Sequence, residues 1–425
     1  MEENRARVKQ LAPNFVKVFE SPDPESVFAY SPGLTVLPGG RIVATMDLGG
    51  PGVGCLPGAK LDAESGQPWR GKLYTSDDGG GTWVHRTDFP FVFARPFVAG
   101  ERLYVLGQDG DLFIMYSEDG GDSWSEPVRL TKGQSWHQAP SNIHFAKGHV
   151  YLVMEKYIYD DLKGWRVNVM APVLMRASVT ADLADPDSWT FASELAFRDV
   201  VSESELDYFG VPFFPTDPGG RLMLAPRRDM NAIGWLETNV VQFTDENHYF
   251  YDPTGRTFHL WMRAHTGGTG YAAIAKAVEQ DDGTIVTMTE KAPSGKTMLY
   301  VPCPGGQMKF HILYDEQTRL YWLLSSQATD SMTRVEKLPP DRFNLPNNER
   351  HRLQLHFSTN CIDWCFAGLI AMTDSPKEAR HYASMAINGD DLYVLSRSGD
   401  ERAPDSHNGN FISFHIVKQF RGLVY

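Results

Sequence analysis

Histidine, tyrosine and arginine stand where short apolar segments of the sequence begin or end. Tyr208 precedes one such segment, and Arg227 follows its partner segment 19 residues later, so one hairpin would place both side chains at the same end. His137 and His248 precede the neighbouring segments. Side chains of these types bind anions and transfer protons, and they need neither a metal nor a cofactor to do so.

The chemistry that this set suits is β-elimination next to a sugar carboxylate. Removal of the proton α to a carboxylate requires that its charge be neutralised, which arginine does through charge-assisted hydrogen bonds. One of His137 and Tyr208 then takes the proton as the base, and the other protonates the leaving oxygen as the acid. We therefore expect Arg227 and Arg263 to hold the carboxylate, with His137, Tyr208 and His248 as the catalytic candidates.

Further cations occupy similar positions along the chain and extend the candidate binding site. The sequence carries 53 acidic and 40 basic residues, a formal net charge of −13, so composition alone does not explain a cluster of cations. Such a cluster would concentrate an anionic ligand, whereas the overall charge argues against nucleic-acid binding. The expected partner is an acidic oligosaccharide or the chain end of an acidic polysaccharide. The expected substrate-binding residues are Arg95, Lys156, Arg227, Arg263, His265, Lys309 and Arg397.

Paired apolar segments separated by turn residues must position these side chains. The sequence has 38 glycines, 27 prolines and 12% aromatic residues, which is typical of short strands joined by tight turns. This hairpin repeat predicts an all-β fold, a β-propeller with seven blades or, as the alternative, six, in one domain over residues 1–425. The seven predicted hairpins span residues 34–46, 96–106, 143–154, 211–224, 249–262, 310–324 and 382–395.

The two ends of the chain are expected to meet in the last blade. Residues 15–19 and residues 411–415 are both predominantly apolar. Pairing them would close the ring of blades and remove an open sheet edge. The first strand of each blade would then line a central channel, and the loops at one face would build the site.

Two turn segments carry a more specific pattern. Residues 76–83 and 117–124 share the sequence Ser-x-Asp-Gly-Gly-x-(Ser/Thr)-Trp, at a distance of 41 residues. The aspartate can bond the turn backbone, the glycines allow positive φ, and the tryptophan can pack against the next blade. This pattern resembles the Asp-box of the sialidase superfamily, which joins the third and fourth strands of a propeller blade. The resemblance supports the fold and says nothing about the chemistry.

With seven hairpins, the chain looks similar to the seven-bladed ulvan lyases and to the enzymes that cleave rhamnose–glucuronate linkages. Those lyases use histidine, tyrosine and arginine, which is the set that the residues themselves indicate. The resemblance therefore implies an oligosaccharide or polysaccharide lyase acting on a uronate.

Exo-hydrolysis of the sialidase type is the alternative that the same resemblance implies. Sialidases bind a carboxylate with three arginines, the first in an Arg-Ile-Pro motif, and use a tyrosine nucleophile assisted by a glutamate, with an aspartate as acid and base. Here residues 30–32 read Tyr-Ser-Pro, and the similar Ala-Arg-Pro that contains Arg95 comes one blade late. Asp47 is a loose match for the aspartate, and Arg263 and Arg397 match the later arginines. No tyrosine–glutamate pair can be assigned from the sequence. A non-catalytic glycan-binding propeller is the third hypothesis.

The remaining features of the sequence bound the class of protein. No run of about 18 apolar residues is present, so no membrane span is expected. The first residues lack the apolar stretch of a secretory signal, which favours a cytoplasmic location. Cys361 and Cys365 have no accompanying Cys or His pair, so we expect no metal site and no cofactor. The oligomeric state stays open.

Overall fold

Six antiparallel sheets of four or five strands follow one another along the chain and form the blades of a β-propeller. The computed structural model describes residues 8–61, 66–162, 164–201, 222–225, 228–230, 232–338 and 348–425. The prediction of an all-β propeller is confirmed, and the number of blades is the alternative of six rather than seven.

The first three blades occupy the N-terminal half of the chain. The N-terminal strand β1 (Val16–Glu20) belongs to the last blade. The first blade contains β2 (Phe28–Val36), β3 (Ile42–Gly49), β4 (Lys60–Leu61), β5 (Pro68–Ser76) and β6 (Val84–Phe89). The second contains β7 (Val92–Ala99), β8 (Arg102–Asp109), β9 (Asp111–Ser117) and β10 (Val128–Arg129). The third contains β11 (Trp136–His137), β12 (His144–Ala146), β13 (His149–Tyr157), β14 (Met170–Ser178) and β15 (Thr190–Phe191).

The last three blades follow a small hairpin of β16 (Leu222–Ala225) and β17 (Arg228–Met230). The fourth blade contains β18 (Gly234–Val241), β19 (Thr257–His265), β20 (Tyr271–Glu279) and β21 (Ile285–Met288), with the short strands β22 (Glu290–Lys291), β23 (Thr297–Met298) and β24 (Tyr300–Pro302) beside it. The fifth contains β25 (His311–Asp315), β26 (Leu320–Ser326), β27 (Arg352–Ser358) and β28 (Cys365–Met372). The sixth contains β29 (Ala379–Asn388), β30 (Asp391–Gly399), β31 (Phe411–Val417) and β1.

Among the residues that the structure describes, helical structure is confined to short connections. The α-helix α1 spans Phe197–Val200, and 3-10 turns span Pro51–Cys55, Val167–Val169, Pro186–Ser188, Val335–Lys337 and Phe420–Leu423. Within the described ranges, every helix is too short or too polar to cross a membrane.

Two predicted hairpins differ from the structure, and the first of them accounts for the difference between seven predicted blades and six observed ones. Within the part of the chain that the structure describes, the predicted hairpin at residues 211–224 contributes only β16, which pairs with β17 in a separate two-stranded sheet. Residues 249–250, predicted as part of an inner strand, lie in a turn, and the inner strand of that blade is β18. The polar residues in the middle of β18 hide its apolar pattern in the sequence.

Apolar side chains hold the blades together at their interfaces. One hydrophobic cluster fills each of the six interfaces between neighbouring blades. Trp322, for example, is 0% exposed and packs edge-on against Phe420 between the fifth and sixth blades, with 4.9 Å between ring centroids. Strand β3 is buried along its whole length because other blades cover both of its faces. This packing fixes the inner strands around a common channel.

The two ends of the chain meet in the sixth blade. Strand β1 pairs with β31 in antiparallel fashion, with Val16 opposite Phe414 and Glu20 opposite Phe411. The predicted pairing of residues 15–19 with residues 411–415 is therefore confirmed. It removes the open edge of β31 and closes the ring.

Two glycine-rich turns join the third and fourth strands of the first and second blades. Asp78 accepts hydrogen bonds from the Thr82 N–H at 2.8 Å and from the Thr82 hydroxyl at 2.7 Å, and Asp119 makes equivalent contacts in the second turn. Gly80 has a φ of +92°, and a Cβ added there would lie 2.0 Å from the Phe414 ring of the sixth blade. These turns stabilise the fold, as the sequence pattern predicts.

The same backbone irregularity occurs near the start of four inner strands. A β-bulge interrupts the register of β2, β7, β18 and β29 with their neighbours. At each bulge one non-glycine residue has a positive φ, between 46° and 58°, which L-residues rarely adopt. Such conformations persist only where the surrounding structure enforces them, and they are frequent at functional sites. The four residues are Ser31, Phe93, Glu237 and Tyr382.

Candidate functional site

A tyrosine and a glutamate from two different blades are hydrogen-bonded inside the channel. The phenol O–H of Tyr382, on β29, donates to Oε1 of Glu237, on β18, at 2.5 Å. Glu237 is 1% exposed and Tyr382 is 9% exposed, so the pair is almost removed from water. Burial, together with the adjacent Glu237, raises the pKa of Tyr382 to about 12. The phenol therefore becomes a strong nucleophile only if a base such as Glu237 takes its proton.

Arg263, on β19, contacts both members of this pair. Its Nη1 donates to the Tyr382 hydroxyl at 2.7 Å and lies 3.4 Å from Oε2 of Glu237. Its Nε donates to the Gln307 carbonyl at 2.9 Å, which fixes the guanidinium in place. Burial disfavours the charge on Arg263, but Tyr382 and Glu237 outweigh this effect and raise the pKa of the arginine. A permanent positive charge thus lies beside the phenol oxygen, where it stabilises negative charge.

Two more arginines lie over the ring of Tyr382. The guanidinium carbon lies 5.6 Å from the ring centroid for Arg350 and 5.5 Å for Arg397. Arg397 also stacks on Tyr30 at 4.0 Å. Nη1 of Arg350 lies 2.8 Å from Nδ1 of His381, and burial, followed by the charge of Arg397, lowers the pKa of Arg350 to about 9. Three arginines therefore surround one phenol.

Positive charge exceeds negative charge in this cluster, which we call the Tyr382 cluster (Glu237, Arg263, Arg350, Tyr382 and Arg397). Glu237 and Asp405 raise the pKa values of these arginines, and Arg397 also acts electrostatically on the buried Asp47. In the described part of the chain, the buried Nε atoms of Arg350 and Arg397 have no hydrogen-bond acceptor. Buried cationic donors without partners are unfavourable, so the arrangement suits an anionic ligand that supplies the missing acceptors.

Asp47 lies near the end of β3, beside the same cluster. Both of its carboxylate oxygens accept a hydrogen bond from the Phe93 N–H, at 3.0 Å each, and Phe93 packs against the apolar group that contains Tyr382. Burial raises the pKa of Asp47 well above its ordinary value, while the Phe93 N–H and the charge of Arg397 oppose the increase. A carboxyl group with a raised pKa can donate a proton near neutral pH, as a general acid does.

A second buried glutamate supports the backbone next to Glu237. Oε1 of Glu155, on β13, accepts hydrogen bonds from the Thr238 N–H at 3.0 Å and from the Thr238 hydroxyl at 2.6 Å. Burial raises the pKa of Glu155 to about 8. Thr238 directly follows Glu237, whose φ of +58° needs such support. Glu155 therefore helps to set the position of Glu237.

The structure brings some of the sequence-predicted site residues into this cluster. Arg263 and Arg397 lie in it, and both were assigned to substrate binding. His265 follows two residues after Arg263, and burial, followed by the charge of Arg263, lowers its pKa to about 3, so the imidazole is neutral. Tyr208 and Arg227 lie outside the described residues.

The two predicted catalytic histidines lie apart from the Tyr382–Glu237 pair. The His137 ring packs edge-on against Phe93 and Trp165, with centroid distances of 4.9 and 5.2 Å, so it stands at the margin of the cluster. His248 stacks on Phe243 at 3.9 Å, beyond the end of β18 that is farthest from Glu237. This position differs from the predicted one because residues 249–250 form a turn rather than an inner strand.

The remaining predicted cations bind other parts of the protein. Nζ of Lys309 donates to the Ala383 carbonyl at 2.6 Å, and burial lowers the pKa of this lysine to about 7. Arg95 is buried and donates to two backbone carbonyls, at 3.4 and 3.2 Å. Lys156 pairs with Glu194 at 2.6 Å. These hydrogen bonds and this ion pair are structural, and substrate binding by the three residues stays a prediction.

The residues at the centre of the cluster are not among the predicted site residues. Tyr382 is only the first residue of a predicted apolar segment, and the sequence predicts no role for Glu237 or Arg350. One signal was available for Glu237: the three polar residues 237–239 interrupt the apolar segment of β18, all of which is buried. Polar residues in the middle of a buried strand need partners, and this requirement marks a candidate site.

The described residues contain no group of three or more histidine, cysteine, aspartate or glutamate side chains arranged to hold a metal ion.

Comparisons with known proteins agree on the fold. No protein-family model matches the sequence, and no curated protein matches it. Among solved structures, the Hadza microbial sialidase is similar with a TM-score of 0.55 at 13% identity, over 95% of this chain and 68% of that one. Trypanosoma rangeli sialidase, solved with 2,3-difluorosialic acid as a covalent intermediate, has a TM-score of 0.51 at 14% identity, over 97% of this chain and 60% of that one. A Penicillium chrysogenum alpha-L-arabinanase complexed with arabinobiose has a TM-score of 0.49 at 12% identity, with 96% and 98% covered. The chain therefore has a β-propeller fold of the sialidase type.

Proposed function

We propose that this protein is a retaining exo-glycosidase that removes a terminal sugar bearing a carboxylate, with Tyr382 as the nucleophile. The observation that carries the proposal is the buried hydrogen bond between Tyr382 and Glu237 within a group of three arginines. This arrangement matches the tyrosine, glutamate and arginines that the resemblance to sialidases implies. The solved sialidases of similar fold support the same class of reaction.

The first step forms a glycosyl–tyrosine bond. Glu237 accepts the phenol proton, the Tyr382 oxygen attacks the anomeric carbon, and the bond from that carbon to the glycosidic oxygen breaks. Asp47 donates its proton to the departing oxygen, a role that suits its raised pKa. Arg263, at 2.7 Å from the phenol oxygen, stabilises the charge that develops on it.

The second step releases the sugar. Asp47, now ionised, takes a proton from water, and the water oxygen attacks the anomeric carbon. The bond to Tyr382 breaks, and the phenol oxygen regains its proton from Glu237. Because the anomeric carbon is attacked twice from opposite sides, the configuration of the product is that of the substrate.

The arginines would bind the carboxylate of the substrate. Arg350 and Arg397 lie over the ring of Tyr382, and each has a buried Nε without an acceptor in the described part of the chain. A carboxylate is a planar acceptor that pairs with guanidinium groups in a bidentate fashion. Residues 30–32 lack the arginine of the Arg-Ile-Pro motif. The guanidinium of Arg397 lies on the ring of Tyr30, so this arginine is placed to take part in binding the carboxylate.

β-Elimination at a uronate, the first choice from the sequence, stays a prediction. Tyr208 and Arg227, two of the five residues expected to carry it, lie outside the described residues, and His137 lies at the margin of the cluster. The observations on the described residues favour hydrolysis, because the Tyr382–Glu237 pair provides a nucleophile and its base.

A panel of fluorogenic glycosides tests the proposal. It should contain the 4-methylumbelliferyl glycosides of sialic acid, glucuronic acid and arabinofuranose, with oligosaccharides that contain uronates followed in parallel by ultraviolet absorbance and mass spectrometry. We expect hydrolysis of an acidic glycoside with retention of configuration, and its loss in Tyr382→Phe. A product with the absorbance of an unsaturated uronate would establish elimination instead. Hydrolysis of the neutral glycoside alone would overturn the assignment of the arginines.

A further inference from the structure

The channel has a second mouth, at the face opposite the Tyr382 cluster. A cavity of about 340 Å³ opens there, between the ends of the inner strands that are farthest from Glu237 and Tyr382. Strand β29 carries Tyr382 in the Tyr382 cluster and, further along, Ile387 in the wall of the cavity. At 3.3 Å per residue these two residues are about 16 Å apart. A volume of this size lies in the lower range of small-molecule sites.

Two buried N–H donors on residues that line this cavity have no acceptor in the described part of the chain. They are Nε of Arg95 and Nε2 of His311, and these residues are 2% and 4% exposed. Nδ1 of His311 accepts a hydrogen bond from the Met385 N–H at 3.3 Å, so the ring proton is on Nε2 and this atom is a donor. A ligand in the cavity would supply the acceptor that neither group has among the described residues.

The floor of the cavity is also positively charged. Burial lowers the pKa of Arg95 to about 10, which leaves the guanidinium charged at neutral pH. Its carboxyl neighbour Glu155 partly offsets this effect on Arg95, and burial raises the pKa of Glu155 itself to about 8. Burial lowers the pKa of His311 well below its ordinary value, as do the charges of Lys309 and Arg95. The missing acceptor is thus best supplied by an anion.

The walls of the cavity are mainly apolar. Leu34, Val98, Phe145, Leu313 and Ile387 line it above the floor, and Phe145 is 50% exposed at the rim. A strongly hydrated inorganic anion would gain nothing from such walls, whereas an alkyl chain would bury apolar surface against them.

We propose that this cavity, the distal pocket, binds a small monocarboxylate with a short alkyl chain, with the carboxylate at Arg95 and His311 and the chain along the apolar walls. The distal pocket is separate from the Tyr382 cluster and does not depend on the proposed reaction. It gives the protein a second anion site, on the opposite face of the propeller.

Isothermal titration calorimetry of the full chain with acetate, butyrate and hexanoate tests this proposal, with hexan-1-ol as the neutral probe. We expect the affinity to rise by about threefold to fourfold for each methylene that becomes buried. Hexan-1-ol should bind at least about tenfold more weakly than hexanoate, because it lacks the charge-assisted hydrogen bonds. Equal affinity for the alcohol and the acid, or no binding of any carboxylate, would overturn the proposal.

Variants locate the binding. Arg95→Gln should reduce hexanoate affinity by about tenfold or more, while the matched control Arg129→Gln, at a 57% exposed side chain of the same blade, should not. Phe145→Glu changes an exposed residue at the rim, leaves the buried floor intact, and should also weaken hexanoate binding. If Arg95→Gln does not fold, this variant tests whether hexanoate binds in the distal pocket.

Carboxylates can also bind at the Tyr382 cluster, and Arg350→Gln separates the two sites. Binding at the distal pocket should persist in Arg350→Gln. Complete loss of binding in that variant, or unchanged affinity in Phe145→Glu, would show that the carboxylates bind only at the Tyr382 cluster and would contradict the proposal.

Discussion

Replacement of Glu237 by glutamine tests the role of the buried glutamate. The variant keeps the size of the side chain and can still hydrogen-bond Tyr382, but it cannot accept the phenol proton. With a pKa of about 12 in the wild-type protein, roughly one Tyr382 phenol in 10⁵ is ionised at neutral pH, so the reaction depends on removal of the phenol proton. A positioned general base contributes about 10²-fold to 10⁴-fold. We therefore expect kcat/KM at neutral pH to fall by about 10²-fold to 10⁴-fold.

The pH dependence of the variant gives the sharper test. Glu237 raises the pKa of Tyr382, whereas Arg263 and Arg350 lower it, so the substitution should bring this pKa below about 12. Without a base, the rate of Glu237→Gln should follow the ionised fraction of the phenol and rise by about tenfold per pH unit above neutral pH. The wild-type protein should not show this rise.

The assay is hydrolysis of the best fluorogenic glycoside over a range of pH. Glu290→Gln is the matched control, because Glu290 is a buried glutamate of the same blade that pairs with His259 and Lys276 away from the cluster. We expect this control to keep its kcat/KM. Wild-type activity in Glu237→Gln, or a reduced activity that does not increase with pH, would refute the assignment of Glu237 as the base.

Three further predictions follow from the described contacts. Asp47→Asn should lower activity by about 10²-fold to 10⁴-fold on a natural glycoside and far less on an activated aryl glycoside, which needs no acid; equal losses on both would rule out the acid role. Gly80→Ala should destabilise the protein by about 1–3 kcal/mol in urea unfolding, because the added Cβ would lie 2.0 Å from the Phe414 ring. The control Gly39→Ala, whose Cβ would have nothing within 4 Å, should change the free energy of unfolding by less than about 0.5 kcal/mol. Similar effects of the two substitutions would contradict this packing. Burial opposes ionisation of Glu290, but hydrogen bonds from His259 and Lys276 outweigh it and lower the pKa of Glu290 from 4.5 to about 2. The ionised group therefore stabilises the protein above pH 4.5, and this stabilisation is lost as the pH falls toward 2. In this range Tm should fall more steeply for the wild type than for Glu290→Gln, and parallel Tm curves would contradict the prediction.

The fold was largely predictable because its signals are local. Alternating apolar segments and the turns at Asp78 and Asp119 depend on residues that are close in sequence, and both indicated a propeller. The number of blades was not predictable in the same way. A polar interruption concealed β18, and the apolar stretch at residues 211–224 predicted a blade hairpin, of which the described residues form only β16, paired with β17 in a separate sheet.

The site was harder to predict because its central contact joins distant parts of the chain. Tyr382 and Glu237 are separated by 145 residues, and only the closure of the ring brings them to 2.5 Å. Their positive φ values result from bulges that depend on the neighbouring strands, so no local sequence pattern predicts them. Arg263 and Arg397 were identified because cations at strand ends are visible in the sequence, whereas Arg350 precedes β27 with no such sequence pattern around it.

Covalent trapping tests the central claim, that Tyr382 is the nucleophile of a glycosidase. The full chain should be incubated with the fluorinated inactivator that matches the acidic glycoside it hydrolyses, either 2,3-difluorosialic acid or a 2-fluoroglucuronyl fluoride. It should then be quenched with acid, digested and analysed by peptide mass spectrometry, with Tyr382→Phe treated in parallel. We predict a glycosyl adduct on Tyr382 that is absent from the variant. A wild-type protein without an adduct on Tyr382, or with the adduct on another residue, would contradict the account.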